Sequence, residues 1–146
     1  MFKAKHKKTI LYFVALVSIF IGAILYIVYR ENTYISKVAE YFVDTNALRN
    51  LLPIKENKVI LYYLPDFLWA FSLSAWLHII LKPQMIGSLL CAFFSGVYGA
   101  AYELLQYYEL IKGTGDVVDI ILYFSGGIVL SILYRFLSLK EKEKVK

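Results

Sequence analysis

The stretch TILYFVALVSIFIGAILYIVY, Thr9–Tyr29, runs for twenty-one residues without a charge. That is the length a helix needs to cross a hydrocarbon core about 30 Å thick. Lys3, Lys5, Lys7 and Lys8 stand just before it, so a cleaved signal peptide has to be weighed first. A signal peptide's apolar region is about 7–15 residues and ends in a small-residue cleavage site. Here the apolar run continues through Tyr26-Ile27-Val28-Tyr29 up to Arg30. It reads as a signal anchor with its N-terminus inside.

Outward from this stretch, three more segments have comparable length and composition: Val59–Leu81, Met85–Leu110 and Val117–Leu137. The chain of 146 residues is 60% hydrophobic and only 18% charged, a balance that fits lipid as its solvent. The expectation is an all-α integral membrane bundle of four transmembrane helices, one domain over residues 1–146 with tails at 1–8 and 138–146. In the connection Glu31–Lys58, the residues Ile35, Val38, Ala39 and Phe42 recur at helical spacing, and Pro53 ends a second short run, Ala47–Leu52. This predicts an interfacial helix in the first loop. Pro65-Asp66 falls early in the second span, where a missing N–H is tolerated and a kink has room to form. Lys112-Gly113-Thr114-Gly115-Asp116 joins the last two spans with breaker and capping chemistry, predicting a helical hairpin.

The net charge of +5 comes mainly from the tails. Lysines before the first span, Lys82 in the second loop and Arg135 with the closing lysines predict that both termini are cytoplasmic and that the chain resides in the cell membrane. Arg30, Lys37, Arg49, Lys55 and Lys58 on the other side are partly offset by acids. The basic residues flank spans and are not interleaved with aromatics on one face, so membrane lipids and not nucleic acid are the expected partners. Cys91 is the single cysteine, which excludes an internal disulfide and reads as a packing residue.

With this topology the ionisable residues acquire depths. Asp66, Glu103, Gln106, Asp116 and Asp119 all belong to the outer half. Small and polar residues also share helical faces. They are Ala15, Ser18, Gly22 and Tyr26 in the first span and Asp66, Ala70, Ser74 and His78 in the second. In the third they are Ser88, Ala92, Gly96, Gly99, Glu103 and Gln106, and in the fourth Asp116, Asp119, Tyr123 and Gly126 or Gly127. Such stripes should face protein, because small residues let transmembrane helices approach and an ionisable group exposed to lipid costs about 2.5–3.5 kcal/mol or more. The functional reading is a polar pocket of Asp66, Glu103 and Asp119, with Gln106 and Asp116 at its mouth and Tyr107, Tyr108 and Tyr123 near enough to donate to it. The structural alternative is that Asp116 and Asp119 cap a helix while Glu103 and Gln106 hydrogen-bond between helices. Crowded carboxylates need a proton or a cation to hold them together. If a metal is bound, Asp66, Glu103 and Asp119 are its candidate ligands, Mg²⁺ or Mn²⁺ suiting oxygen donors. His78, far from the acids, is expected to contact headgroups or a neighbouring carbonyl. No nucleophile with an adjacent base, no phosphate loop and no Cys/His cluster occurs, so no catalytic residue and no cofactor is evident.

At these residues the chain resembles the VanZ-like family of small bacterial membrane proteins. That family has an Asp early in one span, a Glu-x-x-Gln near the end of the next, and a short polar turn into an Asp that opens a Gly-rich last span. Asp66, Glu103, Gln106, Asp119 and Gly126 take those places, over about Tyr62–Leu133. The chain departs from the pattern at Ala70, where the family often has His, in Lys112–Gly115, where it has Arg, and at Tyr123, where it has Asn. The resemblance implies a bacterial inner-membrane protein of the cell envelope, with a link to glycopeptide (teicoplanin) resistance. Three functions then compete. The first is a non-enzymatic protein whose outer-leaflet pocket binds a lipid headgroup, a lipid-linked cell-wall precursor or a cation. The second is a metal-dependent enzyme acting on a lipid-linked or glycan substrate. The third is a subunit of a proton-coupled transporter, which would have to be a homo-oligomer because four helices seldom enclose a path.

Overall fold

The computed structural model describes residues 2–29, 34–51, 57, 59–112 and 115–143. Arg30, Pro53, Lys55, Lys58 and Thr114, and the roles read for them above, lie outside these residues. Among the described residues all regular structure is helical: α1 (Phe2–Tyr29), α2 (Tyr34–Glu40), α3 (Thr45–Leu51), a π-helical turn (Val59–Tyr63), α4 (Leu64–Leu81), α5 (Met85–Tyr107) and α6 (Val117–Glu143). Four segments, 6–29, 60–81, 85–107 and 117–140, are long and apolar enough to cross a membrane. The chain is a multi-pass membrane protein.

Several boundaries differ from the sequence reading. The expected tails at 1–8 and 138–146 continue α1 and α6 as helix over their described parts. The third span stops at Tyr107, not Leu110. Its end is a Schellman closure: the Glu109 and Leu110 N–H groups donate to the Gln106 and Leu105 carbonyls, both at 2.9 Å, and Glu109 is left-handed with φ 57°. In the first loop α2 ends at Glu40, so Phe42 lies in the turn after it, exposed beside Tyr41. The expected single interfacial helix is two short helices, both resting on α1.

The π-helical turn has a covalent cause. In a continuous α-helix the Pro65 ring would strike the carbonyl four residues earlier, and a widened turn relieves that clash while the helix runs on. Asp66 therefore sits in the first turn of α4.

Helix α4 is the centre of the bundle, packing on α1, α5 and α6, while α5 rests mainly on α6. The helix α6 fits between its neighbours through paired glycines: a methyl on Gly126 would strike the Phe67 carbonyl of α4, and one on Gly127 the Ser95 hydroxyl of α5. The apolar core of Leu11, Ala15, Ala75, Ile79, Leu130 and Tyr134 joins α1, α4 and α6. The Ser72 hydroxyl adds a hydrogen bond to the Ala15 carbonyl at 2.8 Å. Lys7 donates to Ser138 at 3.2 Å, which places the start of α1 beside the end of α6. We call this the terminal end of the bundle, and the opposite one, where α5 turns into α6, the hairpin end.

Candidate functional site

At the hairpin end α4 and α5 each contribute one buried carboxyl, Asp66 and Glu103, and α6 contributes buried Asp119 and Tyr123. The stripe periodicity read from sequence is borne out here: Asp66, Glu103 and Asp119 are 8%, 4% and 8% exposed. The Tyr123 hydroxyl donates to Asp66 Oδ1 at 3.0 Å and reaches Glu103 Oε1 at 3.3 Å. Asp119 lies one turn before Tyr123 on the same helical face. A phenol carries one hydrogen. The two contacts therefore share it between two acceptors, or a second proton resides on the carboxyl pair.

Glycine makes this arrangement possible. The Tyr123 ring lies where a Gly99 side chain would be, since a Cβ there would overlap the ring carbons. Removing that side chain lets the α6 tyrosine cross the surface of α5 and put its hydroxyl between two carboxyls. Sequence reasoning placed Gly99 on the packing stripe and Tyr123 near the acids, but the dependence of one on the other could not be read from spacing.

Glu103 has a second task. Its Oε2 accepts the Asp116 backbone N–H at 3.0 Å, tying the last turn of α5 to the start of α6. Asp116 Oδ1 accepts from the Val118 N–H at 2.8 Å, the capping role its position predicted. Part of the structural alternative thus holds for Glu103 and Asp116, alongside the Tyr123 bridge. Gln106 is half-buried, and its side chain makes no hydrogen bond among the described residues. Tyr107 and Tyr108, expected near the acids, are exposed and stack edge to face on each other at 5.5 Å. Of the three tyrosines, only Tyr123 donates to the carboxyls.

Among the described residues no three His, Cys, Asp or Glu side chains stand where a metal ion could be held. Asp66 and Glu103 share the Tyr123 hydroxyl, and Asp119 lies one turn before Tyr123 on α6.

A second polar group lies at the terminal end. His78 is fully buried, with Nδ1 2.7 Å from the Ser74 carbonyl and Nε2 2.8 Å from the Ser88 hydroxyl. The Ser131 hydroxyl donates to the Ser88 carbonyl at 2.7 Å, and the Tyr134 ring packs on the imidazole at 4.5 Å. The expected carbonyl contact is present, whereas headgroup contact is replaced by burial. The Ser74 carbonyl can only accept, so the Nδ1–H donates to it, and in that neutral tautomer Nε2 accepts from the Ser88 hydroxyl. This group joins α4, α5 and α6 at the end opposite the acids.

No protein-family model matches the chain, and no curated protein and no solved structure is similar to it.

Proposed function

We propose that this chain is a VanZ-like protein of the bacterial cell envelope, with both termini in the cytoplasm and its hairpin end in the outer leaflet. There the Asp66–Tyr123–Glu103 group, with Asp119 beside it, binds a polar ligand and performs no chemistry. The observation that carries this reading is the convergence of two buried carboxyls from different helices on one hydroxyl. Holding acids in an apolar bundle is costly, and such residues are functional by default. The donors that suit them are the ammonium or hydroxyl groups of a lipid headgroup or a lipid-linked cell-wall precursor, or a cation. Catalysis is less well supported, since no nucleophile with an adjacent base is evident in the sequence and no group of three His, Cys, Asp or Glu side chains that could hold a metal occurs among the described residues.

The test uses Asp66→Asn, Glu103→Gln and Tyr123→Phe in a strain lacking the native copy. Teicoplanin susceptibility and the lipids retained by the purified protein in native mass spectrometry are the readouts, with a detergent melt to check folding. Each variant is expected to fold with a cooperative melt, its stability lowered by about 1–3 kcal/mol where a buried hydrogen bond is removed, and to lose the phenotype or a retained lipid. If all three fold and leave both readouts unchanged, the pocket reading is wrong. The shared phenol hydrogen also supports a second reading, a proton-coupled subunit. An infrared carboxylic-acid band that vanishes in Glu103→Gln or Asp66→Asn would favour it over ligand binding alone.

A further inference from the structure

At the terminal end, cations from three parts of the chain gather around one ring. The Lys7 ammonium of α1 lies 4.5 Å above the centre of the Tyr134 ring. The Tyr134 hydroxyl donates to the Pro83 carbonyl at 3.1 Å, which sets the ring against the turn that carries Lys82. Arg135, next in the chain, reaches across to α5 and donates through Nη2 to the Met85 carbonyl at 3.2 Å. That contact takes one of the guanidinium's five N–H donors, and Nε has no hydrogen-bond partner among the described residues. Neither Lys82 nor Arg135 pairs with a carboxylate among the described residues, and Asp66, Glu103 and Asp119 lie at the opposite end of the bundle. Like charges collected without a counter-charge repel one another, so an anion from outside the chain is favoured here. The chain reverses at Lys82, which is left-handed with φ 46°, and this sets the end of α4 beside the start of α5. Ile80, Leu81, Met85 and Ile86 are exposed on either side of the turn.

We infer that this turn, with Arg135 and Lys7 beside it, binds the phosphate of an anionic phospholipid whose acyl chain lies along the flanking apolar residues. The guanidinium fork matches phosphate oxygens in geometry as well as charge, and the lysines add point charges. A free phosphate ion would use the cations and leave the apolar flank bare, whereas an amphiphile uses both. A zwitterionic lipid fits less well, because its choline would bring a further cation into a group that already lacks a counter-charge. The site lies at the end of the bundle opposite the acid cluster, and it stands whether or not that cluster binds a ligand.

The experiment titrates the full chain in detergent with phosphatidylglycerol or phosphatidylcholine and counts bound lipid by native mass spectrometry. The unaltered chain should bind phosphatidylglycerol more tightly than phosphatidylcholine. Arg135→Gln and Lys82→Gln should each weaken phosphatidylglycerol binding about fivefold, the usual contribution of one basic residue at an anionic lipid surface. Lys37→Gln, at an exposed cation of the first loop, should leave it unchanged, and so should Asp66→Asn in the acid cluster. Lys82 sits in an exposed turn, so its variant gives a result even if losing the Met85 contact unfolds Arg135→Gln. Equal affinity for the two lipids, or a loss in Lys37→Gln as large as in the two site variants, would overturn the inference. Displacement of phosphatidylglycerol by an equal concentration of inorganic phosphate would assign the cations to a free ion and overturn it as well.

Discussion

Gly99 is the position where one methyl group would act most directly on the acid cluster. Its absent side chain is filled by the Tyr123 ring, so Gly99→Ala must push the ring off Asp66 and Glu103. Overpacking of this kind costs roughly 1–3 kcal/mol, measurable as a lower unfolding midpoint in detergent, and the functional loss should resemble that of Tyr123→Phe. At the other end, His78→Phe keeps an aromatic ring of somewhat larger volume and leaves the Ser74 carbonyl and Ser88 hydroxyl without the imidazole. The expected loss is about 1–3 kcal/mol, read from the same melt. The inward faces of Asp66, Glu103, Asp119 and His78 were legible in the sequence, because a period of three to four residues survives any detail of packing. Which tyrosine would bridge the acids was not. That choice depends on where neighbouring helices leave room: Tyr107 and Tyr108 lie within about one turn of Glu103 at the end of α5, yet their side chains are exposed and do not donate to the acids.

Among the elements, α5 shows how a local closure overrides an apolar run. Leu110 and Ile111 would extend the hydrophobic segment, yet the chain leaves the helix at Tyr108 and places Glu109 in a left-handed conformation. A residue with a Cβ is disfavoured there by about 1 kcal/mol or more. Glu109→Gly should therefore raise the unfolding free energy by about 1 kcal/mol, with no change in the Tyr123 bridge; an unaltered or lower midpoint would contradict the assigned closure. Hydrophobicity alone marked this boundary three residues late, since it measures fitness for lipid and is blind to backbone dihedrals. Pro65 was legible as a permitted break, but the wide turn that accommodates it needed coordinates to be seen.

For the molecule as a whole, four spans and their inward stripes followed from composition and periodicity. Their neighbour relations did not, because a stripe says that a helix has a protein-facing side and not which helix it faces. The answer is that α4 occupies the middle and α1 packs on it, with the core around Ala75 sealing α1, α4 and α6. Ala75→Leu should overfill that seam and destabilise the bundle by about 1–3 kcal/mol, while single cysteines on α5 keep their accessibility to a lipid-phase reagent. The central place of α4 also bears on biosynthesis. A chain made from its N-terminus can pair α1 with α4 before the α5–α6 hairpin has been inserted beside them. Until that hairpin docks, the Tyr123 hydroxyl is not in place to donate to Asp66. Assembly of the acid cluster therefore belongs to the last step of the fold, after α1 and α4 have met.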